Sequence, residues 1–231
     1  MESEGFDIRP AMDAEMGQLG LMGSYSYAGA FGDGEDNVVA TSTKAEWTLC
    51  AFDEAVRTEK DQATMATSFC AFPFTTRVNG RAMAMAGIST VGTRPEYRRM
   101  GLLRKIMTRA FAEQKERGQS IAGLWASQAA IYQRYGFTHA GMNRNYAVDT
   151  VDIHLSLDKS SAALELPVVT RYTPAQGLDA AREVYKNFIA QRTGYLHRGK
   201  SLWLNSTLDE TTPDGPVYIA LAGTLAAPLG Y

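Results

Sequence analysis

Thr90-Val91-Gly92-Thr93-Arg94-Pro95-Glu96-Tyr97-Arg98-Arg99-Met100-Gly101-Leu102-Leu103-Arg104 decides how this chain is read. A β-branched run ends, a loop with paired arginines and a glycine follows, and a helix begins at once. Upstream, Gln62 to Val78 reads as a long strand bent at Pro73, and Asn79-Gly80 is a strong two-residue hairpin signal. Arg81 to Val91 is then the returning strand. Downstream, Leu103, Ile106, Met107, Ala110 and Phe111 mark one face of a helix that Gly118 closes. The N–H groups at the start of a helix form an anion site. Gly101 lets the backbone approach a phosphate without a Cβ in the way. Arg98 and Arg99 add charge, so a pyrophosphate suits the loop. The same spacing also describes an ordinary strand–loop–helix with solvated arginines.

Phe6 to Arg9 reads as a short strand, and Asp13 is the expected N-cap of a helix to about Ala28 with Met16, Leu19 and Met22 at helical spacing. Residues 32–37 form a polar loop. Thr43-Lys44-Ala45-Glu46 fits a capping box. Trp47 to Phe52 is the next strand, with the charged residues 54–61 as its turn. Ile121 to Trp125 is a further short strand. Ser127 is expected to cap a helix over Gln128 to Tyr135, ended by Gly136, with a strand over Thr138 to Val148. The pattern weakens over 149–165, where a boundary is expected between domains 1–148 and 149–231. Beyond it Pro167 to Tyr172 reads as a strand and Thr173-Pro174 opens a helix. Val217 to Leu221 reads as a strand whose hairpin is left half-built, so the second domain is expected to be incomplete.

Composition excludes several classes. The chain has 231 residues, a net charge of −2 and 45% hydrophobic content, ordinary values for a globular protein. Residues 1–61 carry 4 basic and 13 acidic groups, whereas residues 94–117 carry 8 basic and 3 acidic. A nucleic-acid footprint is broader and the whole domain basic, so one short basic stretch points to a local anion and no nucleic acid is expected. The acidic start Met1-Glu2-Ser3-Glu4 lacks a signal-peptide profile, and no apolar run approaches the roughly 18 residues of a spanning helix. A cytoplasmic location and no membrane partner are expected. Cys50 and Cys70 read as buried thiols on neighbouring strands, with no metal cluster.

The stretch Val91 to Arg104 resembles the acetyl-CoA loop of GNAT acetyltransferases. Trp125-Ala126-Ser127-Gln128-Ala129-Ala130-Ile131-Tyr132-Gln133-Arg134-Tyr135-Gly136-Phe137 resembles the second motif of one branch, the Eis (enhanced intracellular survival) family. Both blocks occur in order, and the resemblance covers residues 6–148. It implies an α/β (α+β) fold, a mixed twisted sheet flanked by helices, in which two strands splay apart to admit the pantetheine arm, followed by part of a second GNAT-like domain. It implies acetyl-CoA as co-substrate, with Val91, Gly92 and Thr93 presenting backbone groups to it. Arg98, Arg99, Met100, Gly101, Leu102, Leu103 and Arg104 hold its pyrophosphate, and Ser127 and Gln128 approach it. Tyr132 is the implied general acid for N-acetyl transfer to a small-molecule or peptide amine, through a tetrahedral intermediate. A phenol, with a pKa near 10, donates effectively only as charge builds on the departing sulfur.

In the Eis family the base is a C-terminal carboxylate on a third, sterol-carrier-like domain, which this chain does not reach. A homo-oligomer is implied for a full-length protein. His139, His154 and His197 are alternative bases in principle. Gln128 and the Ser24-Tyr25-Ser26-Tyr27 stretch stand where acidic residues can occur, implying a less acidic pocket. The rival class is a non-catalytic acyl-CoA-binding or regulatory module that keeps the loop without turnover.

Overall fold

The computed structural model describes residues 5–27, 43–141, 146–149, 151, 167–208 and 216–231. They divide into two units, one of Met1–Thr76 with Arg81–Gly136 and one of Arg77–Gly80 with Phe137–Tyr231. The boundary expected over 149–165 falls largely outside the described residues.

The first unit is built on a five-stranded sheet in the order β1-β2-β3-β4-β5: β1 Phe6–Arg9, β2 Cys50–Arg57, β3 Ala63–Val78, β4 Arg81–Thr93 and β5 Ile121–Leu124. β1 pairs antiparallel to β2, and β2 to β3. The β3–β4 turn takes φ of +50° at Asn79 and +74° at Gly80, the left-handed pair that a tight hairpin requires. β5 joins β4 in parallel, so the sheet is mixed as expected. α1 (Gln18–Tyr27) packs by β4 and α2 (Leu102–Glu116) by β2. Met16, Leu19 and Met22 are buried with Cys50, Phe52, Met65 and Cys70, which fixes the core between α1 and the sheet.

Local differences from the sequence reading have local causes. Asp13 does not cap α1: Asp13–Glu15 form a separate 3-10 turn with Met12 at its N-cap, and α1 starts at Gln18. Glu15 drives that turn. Its carboxylate accepts the Met12 N–H at 2.8 Å and both arms of Arg9, at 2.7 and 2.8 Å. Thr43 caps nothing; Lys44 takes the N-cap of a 3-10 turn over Ala45–Trp47, which the Thr48 hydroxyl closes on the Ala45 carbonyl at 2.7 Å. β2 therefore starts at Cys50, not Trp47, and it runs to Arg57 because a register shift brings Arg57 opposite Ala63. On α2 Ile106, Met107 and Ala110 of the expected face are buried; Leu102 and Gln114 complete the row, while Leu103 and Phe111 are half-buried. Thr138–Gly141 and Tyr146–Asp149 form no strand, and Tyr146 and Val148 are exposed; the middle of that expected strand lies outside the described residues.

The second unit has a three-stranded sheet, β6 (Val169–Tyr172), β7 (Ile219–Gly223) and β8 (Pro228–Gly230), in that order. α3 is the short helix Ala129–Gln133 of the first unit, and the long helix of the second unit, α4, spans Pro174–Ile189. Thr173 caps α4 reciprocally with Gln176, and Pro174 occupies the first turn as expected. Leu178, Ala181, Tyr185 and Ile189 of α4 bury against Trp203, Ile219 and Leu221. The hairpin expected to stay half-built is formed. β8 returns antiparallel to β7, pairing Ala222 with Gly230 and Gly223 with Pro228, because Gly223 at φ +89° permits the sharp reversal.

Burial alone would push the Glu15 carboxyl up, but the Arg9 hydrogen bonds, the Met12 N–H and the Arg9 charge hold it below its usual 4.5. A depressed native pKa gives stability that is present above the unfolded value and lost as pH falls through the native one. Glu15→Gln is thus expected to cost about 1.5–3 kcal/mol at pH 7, the scale of hydrogen bonds to a charged group. The deficit should shrink as pH falls below 4.5, read by urea denaturation from pH 7 to pH 3. Burial also pushes the Cys50 thiol up to about 12 and raises Cys70, so neither should react with a thiol reagent at pH 8 until the protein unfolds.

Candidate active site

The site grows from the place where β4 and β5 part. Their parallel register runs Met85 to Ile121, Ala86 to Ala122, Gly87 to Gly123 and Ile88 to Leu124, then stops. Two residues later Thr90 adopts φ +51°, a left-handed backbone that β-branched residues rarely take. Its carbonyl accepts the buried Ser68 hydroxyl of β3 at 2.7 Å. A cavity of about 370 Å³ opens beyond the last pair, lined by Ile88 to Val91 on β4, Leu124 to Ser127 after β5, and Tyr132. That volume lies within the ordinary range of small-molecule sites.

Tyr132 sits on α3, its side chain buried and lining the cavity. The helix is shorter than expected and Ser127 does not cap it. Gln128 takes the N-cap with no side-chain bond, and Gly136 at φ +87° ends the turn. Ser127 instead lines the cavity, while Gln128 is exposed at the helix start. Gly92 is buried against α1, where a Cβ would overlap the Ser26 hydroxyl. Thr93 shares a 3.2 Å hydrogen bond with Thr67. Val91, Gly92 and Thr93 therefore offer one continuous strand edge leading from the cavity toward the loop.

The loop has the form of an anion site. Arg98, Arg99, Met100 and Gly101 are exposed, and Arg99 and Gly101 have φ of +66° and +78°. Gly101 is the N-cap of α2 and offers no side-chain oxygen, so the amides of Leu102, Leu103 and Arg104 have no cap partner. The first turn carries no acidic residue, which leaves the positive end of the helix dipole uncompensated. Arg98 curls back, its Nε donating to the Thr93 carbonyl at 3.3 Å. Leu102 is buried, so only its backbone can face a ligand; Arg104 is exposed. An acyl-CoA fits this set: amides and arginines for a diphosphate, an uncharged cavity for the thioester end.

The sequence does not single out Ile88, Ser89, Thr90, Leu124, Trp125 and Ala126 as lining. Trp125 is 83% exposed although it lines the cavity, and only its place in the second motif marks it. Nothing in the sequence marks Thr90 as the break in β4. Of the suggested bases, His139 and His197 are exposed residues of the second unit, and His154 lies outside the described residues. Among the described residues no group of three His, Cys, Asp or Glu is placed to hold a metal, and no helix is long and apolar enough to cross a membrane.

Residues 7–140 match the family model described as an acetyltransferase (GNAT) domain. An uncharacterized N-acetyltransferase of Streptomyces coelicolor is 33% identical over 129 residues, 55% of this chain and 30% of that protein. The N-acetyltransferase Eis of Mycobacterium tuberculosis is 29% identical over 118 residues, 51% of this chain and 29% of that one. Among solved structures, a GCN5-related N-acetyltransferase from Anabaena variabilis superposes with a TM-score of 0.70 at 19% identity, over 96% of this chain and 52% of that one. Eis1 from Mycobacterium abscessus gives 0.65 at 21%, over 94% and 51%. The chain thus spans under a third of the curated relatives at these matches and about half of the structural ones. The structures share the mixed sheet flanked by helices that the sequence implied.

Gly92→Ala should cost no more than about 1 kcal/mol, because the Ser26 hydroxyl that the new methyl meets ends an exposed side chain and can turn to another rotamer. Ser26→Ala should remove even that cost in the double variant, read by chemical denaturation; a cost unchanged by Ser26→Ala would place the conflict elsewhere.

Proposed function

Since the chain belongs to the GNAT acetyltransferase family and has Eis-like relatives, we propose that it moves an acetyl group from acetyl-CoA to a primary amine, with Tyr132 as general acid. One observation carries the reading: the break between β4 and β5 opens a cavity on Tyr132, and the same strand runs on into the amide- and arginine-rich start of α2. Acetyl-CoA supplies an activated acetyl carbon with a good leaving group. The chain's own residues do the rest. Arg98, Arg99 and the Leu102–Arg104 amides hold the diphosphate, and the Val91–Thr93 edge holds the arm. Tyr132 delivers its proton to sulfur as the carbon–sulfur bond of the tetrahedral intermediate breaks and charge builds there, while the attacking nitrogen sheds a proton to solvent and one from solvent returns the phenolate to phenol. The acceptor must attack as a free amine. A lysine-like amine of pKa near 10.4 is neutral in only about one molecule in 2,500 at pH 7.

Calorimetric titration and thiol release test this directly. Arg98→Ala with Arg99→Ala should weaken acetyl-CoA binding on the order of tenfold, the scale of losing a charge-assisted hydrogen bond. Tyr132→Phe should leave binding intact and lower kcat on the order of 10²-fold. For an alkylamine acceptor, the rate should rise from pH 7 to pH 9.5 as the free amine grows. Donor binding with no transfer to any amine tested would instead establish a non-catalytic acyl-CoA-binding module.

A further inference from the structure

The exposed segment Arg98–Gly101 has to hold two left-handed residues, Arg99 at φ +66° and Gly101 at +78°, in a shape that presents charge outward. A non-glycine residue in that region costs roughly 1–2 kcal/mol, so the flanks must impose it. On the far side the anchor is Leu102, 2% exposed in the core. On the near side it is Tyr97, the last residue of the 3-10 turn Pro95–Tyr97. Its phenol donates to Asp53 Oδ2 at 3.0 Å, and its ring meets Phe6 of β1 edge-on at 5.7 Å. Asp53 is itself oriented. Its other oxygen accepts the Ala55 N–H at 2.9 Å, where β2 shifts register between Asp53 and Arg57. One carboxylate oxygen is thus fixed by its own strand while the other is aimed at the loop.

We propose that Asp53 and Tyr97 are positioning residues for donor binding: the hydrogen bond between them clamps the turn from which Arg98 and Arg99 project. The inference rests on the donor reading above. Burial, the Asp53 hydrogen bond and the Asp53 charge all raise the phenol's pKa, so Tyr97 stays protonated and donating across neutral and mildly basic pH. Backbone bonds tie the rest of the turn: Arg94 N–H to the Ala66 carbonyl at 3.0 Å and Tyr97 N–H to the Arg94 carbonyl at 3.0 Å. These fix where the turn starts. The side-chain clamp fixes how it leaves toward Arg98.

The test compares Tyr97→Phe, Asp53→Ala, Asp53→Asn and the Tyr97→Phe/Asp53→Ala pair in the 231-residue chain, titrated with acetyl-CoA and followed by thermal unfolding. Tyr97→Phe and Asp53→Ala should each weaken binding about fivefold to tenfold, the scale of one lost hydrogen bond. The pair should be no worse than Asp53→Ala alone, because that variant already removes the bond that Tyr97→Phe removes. Asp53→Asn should bind within about twofold of the unsubstituted chain: its carbonyl can keep the Ala55 N–H while its NH2 donates to the phenol oxygen. In thiol release the loss should appear in KM for acetyl-CoA with kcat nearly unchanged, a split that a general loss of folded protein would not give. Tyr97→Phe binding like the unsubstituted chain, additive losses in the pair, or affinity tracking thermal stability in all four variants would overturn the clamp. Failure of the unsubstituted chain to bind acetyl-CoA would overturn the donor reading and the clamp together.

Discussion

Everything at the site depends on β4 serving two neighbours that ask for different things. β3 is joined to it by a two-residue turn and continues beside it well past the site. β5 accompanies it for only four residues, Met85–Ile88, before the pairing ends. The pairing ends where β5 itself ends, at Leu124, and β4 goes on with a local change of backbone two residues later. Thr90 carries that change: with its left-handed φ its carbonyl accepts the Ser68 hydroxyl of β3. The hydrogen bond to a buried hydroxyl offsets a conformation that costs energy for a β-branched residue. Strain concentrated at one residue in this way is a mark of functional sites, and Thr90 lines the cavity.

The same strand then delivers the chain to α2, and the two ends of this short path differ in electrostatics. At the α2 end, exposed arginines and uncapped amides raise a positive potential within the first turn. In the cavity, the lining residues are apolar or neutral: Ile88, Val91, Leu124 and Trp125 with Ser89, Thr90, Ser127 and Tyr132. Gly92 lies between them, where an added Cβ would meet the Ser26 hydroxyl of α1.

How much of this could be read in advance follows from how local each determinant is. The Asn79-Gly80 hairpin, the α2 face and the Thr173-Pro174 start of α4 are encoded by neighbouring residues, and the structure has them nearly to the residue. The loop and Tyr132 were legible through two motifs, each carried on one continuous stretch. What could not be read depends on distant partners. Thr90 looks like any strand threonine until Ser68 lies beside it. β2 reaches Arg57 because Ala63 comes opposite it, although residues 54–61 look like a turn. Asp13 has the composition of an N-cap, but Glu15 engaged by Arg9 captures the Met12 amide instead. The return of β8 was missed because Pro228-Leu229-Gly230 has neither strand length nor strand propensity. It pairs with β7, and α4 packs against both strands.

The division of charge along β4 also bears on the chemistry of the proposed transfer. Binding energy gained at the diphosphate is remote from the reacting carbon, so it can hold the donor without altering the amine. Placing arginines nearer Tyr132 would favour the donor's phosphates equally well, but their field would also favour the phenolate and oppose approach of an ammonium ion. An uncharged cavity does neither. Its low polarity also disfavours the charged form of an entering amine. Desolvation therefore lowers the effective pKa of the acceptor in the direction that attack requires. With the arginines held at the start of α2 and Tyr132 at the parting of β4 and β5, one continuous strand meets both requirements.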